Sequence, residues 1–216
     1  MEELENLQRI DYRCDSADAD PRFSTDYLFG EARGQMFGVL DCENEKGEIV
    51  VLRAFSCQYN AMWNVGGWAP PLFDVEAYHQ IMIPGDRKIK ELGRKMAAMN
   101  IVNEEYQLLK LQRKNLSQSI MKKLHHLYQL QNFRGETMPL VDFFEFTNGP
   151  PTGAGDCCAP KLLNQAARNN LRPLGLAEFY WGKTNRSGTR EHGRFYSSCV
   201  DKCLPILGFM LCGAVK

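Results

Sequence analysis

The chain has 216 residues, of which 44% are hydrophobic, and its 26 basic and 26 acidic side chains give a formal net charge of zero. This composition predicts a globular protein with a proper core and excludes a disordered chain. The absence of an apolar run of about 18 residues argues against a membrane span. The acidic start MEELENLQRIDY is unlike a signal peptide. We therefore expect a cytoplasmic protein whose eight cysteines are thiols or metal ligands rather than disulfides.

The first part of the chain predicts a polar segment followed by a hairpin. Residues 1–34 are polar and lack periodicity, so we assign them to an N-terminal segment and residues 35–216 to a single α/β domain. Residues 35–42 and 48–56 are predicted strands around a short turn that contains glycine, which is typical of a β-hairpin. Both runs are more apolar than alternating, so both faces of the sheet should be covered.

Residues 57–85 are predicted to be irregular, because aromatic side chains are interspersed with Gly66, Gly67, Pro70 and Pro71. Two interpretations of the aromatic residues remain open. They pin the loop to the core, which is the usual role of buried aromatics, or they form a surface on which a base stacks.

Residues 86–134 predict an inserted arm, either one long helix or a helical hairpin, with a break near 100–103 or 115–117. This stretch holds no proline, and its apolar residues recur every three or four positions. It also contains eleven basic and four acidic residues, a net charge of +7 (11 − 4), which leaves −7 on the remainder. Charge segregation of this kind suits a phosphate backbone.

The residues that we assign to RNA contact are basic side chains of the arm and one of a later loop: Lys110, Arg113, Lys114, Lys122, Lys123 and Arg190. An alternative interpretation of the arm is a solvated helix face beside a coiled-coil seam. In that case the chain is a protein–protein adaptor that depends on Leu116, Ile120 and Leu124.

The last third of the chain carries most of the chemically informative residues. A glycine-rich turn precedes a predicted helix over 157–170, for which Asp156 fits the N-cap. A buried strand is predicted over 173–183, and Glu178 lies within it. A carboxylate in an apolar strand requires a partner, water or a metal. Asp156 and Glu178 are therefore the candidate catalytic residues, and pairing of Glu178 with a Lys or Arg is the structural alternative.

Four further side chains of this region form a candidate zinc site. Cys199 and Cys203 are predicted to open the last helix, where their spacing of four places both sulfurs on one face. With Cys157 or Cys158 from the start of the other helix, three thiolates would meet, and His192 would supply a fourth ligand. Of the two neighbouring cysteines, we assign Cys157 to the site. The alternative is that the cysteines are small buried thiols.

The order of hairpin, helix with a ligand, strand and helix with a cysteine pair resembles the cytidine-deaminase-like fold over residues 35–56 and 149–212. The resemblance implies a three-layer α/β fold in which zinc activates water and a glutamate carries protons. This sequence departs from the family pattern, because Ala159 stands two residues after Cys157 where the family has glutamate. Its cysteine pair is also one residue wider. Asp156 or Glu178 would have to replace the glutamate in a zinc-dependent nucleobase hydrolase.

The motifs MFGVL, PPTGAGDCCAPKLL, LAEFYWGK, HGRFYSSC and KCLPIL look like the region that precedes the catalytic domain in long bacterial RluA-type pseudouridine synthases. The similarity runs from about Gly34 to Gly213. The family's His-Arg-Leu-Asp motif has no counterpart here. The resemblance therefore implies an RNA-binding domain associated with RNA modification, with tRNA or rRNA and a separate synthase as partners. It does not imply pseudouridine synthesis by this chain alone.

Overall fold

The computed structural model describes residues 1–12, 19–99, 103–145 and 149–214. The helices within these ranges are α1 (Glu2–Leu7), α2 (Val75–Ala97), α3 (Glu104–His125), α4 (Cys158–Arg168) and α5 (Leu204–Met210). The strands are β1 (Gln35–Glu43), β2 (Ile49–Phe55), β3 (Gln129–Gln131), β4 (Thr137–Pro139) and β5 (Arg172–Trp181). The predicted α/β class, a small sheet flanked by helices, is confirmed. None of the helices in the described ranges has the length and apolarity needed to cross a membrane.

The chain divides into two compact units. The first comprises residues 1–72, 130–138 and 151–216, and the second comprises residues 73–129 and 139–150. The first unit contains the three-stranded sheet, in the order β2-β1-β5. The central strand β1 is antiparallel to both neighbours, which confirms the predicted hairpin. The register shifts between Asp41 and Cys42 on β1, where β5 presents Pro173, a residue that has no N–H to donate.

One face of this sheet is apolar and aromatic. Phe37 of β1 lies opposite Phe55 of β2 and Phe179 of β5. These rings form one buried cluster with Trp68 and Tyr59 from the loop after β2. The same cluster includes side chains from the N-terminal segment: Leu4, Ile10 and Leu28. That segment therefore covers one face of the sheet, although its sequence is largely polar. Cys14 lies outside the described residues.

The aromatic side chains in the loop after β2 are buried, which decides between a role in the core and a surface for base stacking. Trp68 is buried, and its indole N–H donates to the carbonyl oxygen of Ile10 over 2.8 Å. Tyr59 is fully buried and donates to the carbonyl oxygen of Ser24. Trp63 is also buried. In the 57–72 part of the loop, aromatic residues thus pin the backbone to the core, and the indole N–H of Trp68 is already satisfied.

The opposite face of the sheet packs against α4, and a glycine permits the close approach. A Cβ placed on Gly38 would lie 2.6 Å from Cβ of Cys158 and 3.0 Å from Cδ1 of Leu162. Gly38 pairs with Glu178 across the β1–β5 ladder, so Glu178 stands on the α4 side of the sheet. The first turn of α4 and this carboxylate are therefore neighbours.

The second unit contains a helical hairpin, formed by α2 and α3, which was one of the two predicted forms of the arm. The prediction that the arm is helical as far as residue 134 is wrong, because α3 ends at His125 and Gln129–Gln131 form β3. Ile120 of α3 packs against Gly85 of α2, where a Cβ would lie only 2.5 Å from Cδ1 of Ile120. The break falls between Ala97 and Glu104, with Asn103 capping α3 through a bond from the Tyr106 N–H. Residues 100–102 lie outside the described ranges.

The prediction that residues 57–85 are irregular is wrong from Val75 onward. The Asp74 side chain accepts the N–H of Ala77 and starts α2 there, ahead of Pro84 and Gly85. Pro84 is exposed within the helix, and Gly85 is buried against α3. The packing of the hairpin therefore overrides the local preference of these two residues to end a helix.

We expect Gly38→Ala to lower the free energy of unfolding by about 1–3 kcal/mol, because the new methyl group would overlap the first turns of α4. Gly175→Ala on β5 is the matched control, since nothing lies within 4 Å of a Cβ at that position. Urea unfolding of both variants measures the difference. Equal stability of the two variants would contradict the proposed close contact.

Candidate metal centre

Three cysteine sulfurs meet in the first unit. The Sγ atoms of Cys157, Cys199 and Cys203 all lie within 4.8 Å of one another, and those of Cys199 and Cys203 are 3.3 Å apart. In a tetrahedral zinc site with Zn–S bonds of about 2.3 Å, neighbouring sulfurs are about 3.8 Å apart. The three thiols are therefore spaced so that they could hold a metal ion. Cys203 is buried, and the other two are half-buried.

Cys157 reaches the cluster from the start of α4. It is the N-cap residue, but its side chain makes no capping hydrogen bond. The prediction that Asp156 is the N-cap is therefore wrong by one residue. The backbone carbonyl of Asp156 accepts the N–H of Cys57 over 2.8 Å. The preceding glycines, Gly153 and Gly155, have positive φ angles, as the predicted tight turn requires.

Glu178 performs the capping that Asp156 was expected to perform. Its Oε1 accepts the N–H of Ala159 in the first turn of α4 over 3.1 Å, and its Oε2 accepts the hydroxyl of Ser198 over 2.8 Å. The carboxylate is buried, with 6% of the residue exposed, and it forms no ion pair with the described residues. The helix N-terminus, rather than a Lys or Arg, thus stabilises this negative charge.

Cys199 and Cys203 approach each other through a turn rather than along a helix. The N–H groups of Cys203 and Leu204 both point to the carbonyl oxygen of Cys199, each over 3.2 Å, and α5 begins only at Leu204. The predicted helix beginning at Cys199 is therefore wrong. The later start places Pro205 in the first turn of α5, where a proline costs no hydrogen bond.

The three thiols are electrostatically unequal. Hydrogen bonding from Cys203, assisted by Cys199 and opposed by burial, lowers the pKa of the Cys157 thiol from its usual value near 9. The same contact with Cys157, together with burial, raises the pKa of Cys203. Burial also raises the pKa of the neighbouring Cys158, whose Sγ donates to the carbonyl oxygen of Met36. Negative charge therefore develops on Cys157 before it develops on Cys203.

His192 does not belong to the group of three sulfurs. Its Nδ1 accepts the N–H of Gly182 over 3.1 Å, and its ring packs edge-on against Trp181 and Phe29. The histidine therefore fastens the loop after β5. It stands apart from the cysteines with which the sequence pattern grouped it.

The candidate RNA-binding residues fall into two places. The five of the arm, Lys110, Arg113, Lys114, Lys122 and Lys123, all lie exposed on α3. Arg190 belongs to the other unit, where its guanidinium lies 4.3 Å from the ring of Tyr196 and donates to the carbonyl oxygen of Thr189. The candidate residues on α3 thus share one helix.

A buried lysine next to the cluster was not found from the sequence. Lys161 of α4 is 1% exposed, and its ammonium donates to the carbonyl oxygens of Phe55 and Cys57 at the end of β2. Burial lowers the pKa of this lysine. The sequence Lys161-Leu162-Leu163 is typical of an amphipathic helix whose lysine faces solvent. Only the closeness of α4 to β2 reveals the inward position.

In protein freed of metal, we expect iodoacetamide to modify Cys157 at least about tenfold faster than Cys158 or Cys203 at pH 7.5. The reason is that only the Cys157 thiol has a lowered pKa, so it is the more deprotonated below pH 9. Peptide mapping by mass spectrometry gives the three rates. Equal rates at Cys157 and Cys158 would contradict this order.

No protein-family model matches this chain, and no match is found among curated proteins or solved structures.

Proposed function

We propose that this chain is an RNA-binding module associated with RNA modification, which contacts RNA phosphates through α3. The observation that carries the proposal is the charge of that helix. After Glu104 and Glu105 in its first turn, α3 contains five Lys or Arg residues and no acid. All five are exposed, and none forms an ion pair with a described residue. When exposed Lys and Arg side chains neutralise phosphates, the counterions condensed on the nucleic acid are released, and that release drives binding.

The basic residues of the neighbouring helix α2 are partly paired with acids, unlike those of α3. Two of its lysines are neutralised by acids one turn earlier, Lys90 by Asp86 and Lys95 by Glu91. Helix α3 has no such pairs among its five cations. The contrast supports a role for α3 beyond solvation.

The resemblance to the region preceding the catalytic domain of RluA-type pseudouridine synthases supports the same context. Without the His-Arg-Leu-Asp motif, this chain would bind tRNA or rRNA and leave base isomerisation to a separate synthase.

The adaptor alternative has less support. Ile120 and Leu124, two of the residues of its seam, are buried, and Ile120 packs against Gly85 inside the hairpin. A partner helix would have to dock elsewhere on α3, for example on the exposed Leu108 and Leu111.

We expect replacement of the five α3 cations by glutamine to weaken binding to a labelled tRNA and to flatten its salt dependence. The slope of log K against log salt should fall by about 3–5, roughly one for each lost phosphate contact. Fluorescence anisotropy over a range of salt concentrations measures both effects. The substitutions are Lys110→Gln, Arg113→Gln, Lys114→Gln, Lys122→Gln and Lys123→Gln.

The matched control removes five cations from α2, through Arg87→Gln, Lys88→Gln, Lys90→Gln, Arg94→Gln and Lys95→Gln. The net charge changes equally, but two of these lysines are already paired, so the loss of affinity should be clearly smaller. Equal losses in the two variants, or wild-type binding that does not respond to salt, would contradict a specific role for α3.

We also propose that the Cys157, Cys199 and Cys203 cluster binds Zn²⁺. A set of thiolates selects zinc among the common divalent cations, whereas oxygen ligands suit magnesium or calcium. The buried carboxylate of Glu178 adds negative charge near Cys157, which favours a cation at the cluster. Zinc would fasten the turn before α5 to the start of α4.

A zinc-dependent nucleobase hydrolase is the second candidate function, and one observation favours it. The Glu178 carboxylate bonds to the N–H of Ala159, the position where the deaminase-like resemblance has its proton-carrying glutamate. This function requires a fourth zinc position open to water. It also requires a carboxylate that is free to exchange protons, whereas Glu178 is buried and accepts two hydrogen bonds. Asp156 is half-buried at the same turn.

We expect zinc at about a hundredfold above its Kd to raise the melting temperature of chelator-treated protein by roughly 5–10 °C, because the ligand binds only the folded state. Cys199→Ser should abolish the shift. Cys212→Ser should preserve it, since that thiol lies outside the cluster and donates to the carbonyl oxygen of Gly208. Differential scanning calorimetry measures the shift, and a full shift in Cys199→Ser would contradict the assigned ligands.

A further inference from the structure

We infer that Cys57 supplies the fourth ligand of the zinc centre and closes it as a structural site of four thiolates. The inference rests on the zinc centre proposed above. It assigns a metal-binding role to a cysteine that the sequence pattern did not group with the others.

The backbone of Cys57 is fastened to the start of α4 on both sides. Its N–H donates to the carbonyl oxygen of Asp156 over 2.8 Å, and its own carbonyl accepts the ammonium of Lys161 over 2.8 Å. These two contacts hold Cys57 beside Cys157, the ligand that follows Asp156 directly. Burial and the charge of Asp156 raise the pKa of the Cys57 thiol to about 11. The charges of Cys157 and of Lys202, which lies between Cys199 and Cys203 in the sequence, also act on this pKa, the first raising it and the second lowering it.

The other described thiols outside the cluster are already engaged. Each donates to a backbone carbonyl oxygen: Cys42 to Leu40, Cys158 to Met36 and Cys212 to Gly208. The Sγ of Cys57 makes no hydrogen bond with any residue in the described ranges, and the residue is exposed. Cys57 does not belong to the group whose sulfurs lie within 4.8 Å of one another, so its side chain must rotate towards the metal. Nothing that the structure describes ties the thiol in its present position.

The backbone conformation of Cys57 is unusual. Its φ angle is +53°, in the left-handed region that non-glycine residues rarely adopt. Strain of this kind is retained where the surroundings or a function require the side chain. A glycine would fit this backbone better, and a role for the thiol would account for the cysteine at this position.

Four thiolates around zinc form a closed structural site, whereas three thiolates and water form an open one that can activate the water. Four thiolates and Zn²⁺ carry a charge of −2, and two nearby cations, Lys161 and Lys202, offset it. A fourth ligand from Cys57 therefore makes the zinc centre structural. A structural centre favours the RNA-binding function over the zinc-dependent hydrolase.

Zinc K-edge X-ray absorption on the zinc-loaded full chain tests the ligand set. We expect four sulfur neighbours at about 2.3 Å in the wild type and three sulfurs with one lighter atom in Cys57→Ser. Three sulfurs and one nitrogen or oxygen in the wild type, or an unchanged spectrum in Cys57→Ser, would overturn the inference. Absence of zinc from the wild-type protein would instead contradict the zinc centre itself.

Measurements of zinc affinity distinguish a role of Cys57 as a zinc ligand from a role in folding. Loss of an outer-shell partner already costs about 10–100-fold in affinity, so Cys57→Gly should weaken zinc binding by at least about 100-fold. Because glycine relieves the positive φ, this variant should keep the metal-free protein at least as stable as the wild type. Cys212→Ser is the matched control and should bind zinc as the wild type does. Wild-type affinity in Cys57→Gly, or a comparable loss in Cys14→Ser, would overturn the assignment.

Discussion

The buried carboxylate of Glu178 is the interaction on which the candidate metal centre depends. Removing a carboxylate from water costs several kcal/mol. Hydrogen bonds to a charged group contribute about 1.5–3 kcal/mol each, and a helix N-terminus adds about 0.3–2 kcal/mol. The bonds from Ala159 and Ser198 together with the α4 dipole are thus of the size needed to offset that cost. One side chain thereby joins β5, the start of α4 and the segment that carries Cys199.

The sheet places this carboxylate where α4 can reach it. Gly38 on the central strand leaves room for Cys158 and Leu162, and its partner across the ladder is Glu178. The aromatic cluster packs against the other face of the sheet. Two segments that are distant in the sequence, the start of α4 and the turn before α5, therefore present three thiols within one small volume. The metal, in our account, would replace a set of weak S–H contacts by strong bonds.

Much of this arrangement was predictable from the sequence, because local patterns determine it. Two apolar runs around a short turn with glycine predicted β1 and β2, and the apolar run around Glu178 predicted β5. The cysteine pattern predicted that Cys199 and Cys203 meet a thiol from the start of α4. The capping of α4 was not predictable, since Asp156 satisfies the local rule and the actual cap comes from a residue about twenty positions away. His192 does not join the three sulfurs. Its Nδ1 has a local partner, the N–H of Gly182, which residue type alone does not reveal.

The two proposals concern different units of the chain and can fail independently. RNA binding would depend on the exposed cations of α3, and zinc would depend on the thiols beside α4. A structural zinc centre is compatible with a binding module because it stabilises a small sheet without taking part in chemistry.

The most direct test of the zinc centre is elemental analysis of protein purified without chelators or a histidine tag. We expect about one zinc per chain in the wild type and almost none when Cys157, Cys199 and Cys203 are all serine. A wild-type protein without zinc that also fails to take it up at neutral pH would contradict the zinc centre. The three thiols would then be structural, and RNA binding by α3 would have to be judged alone.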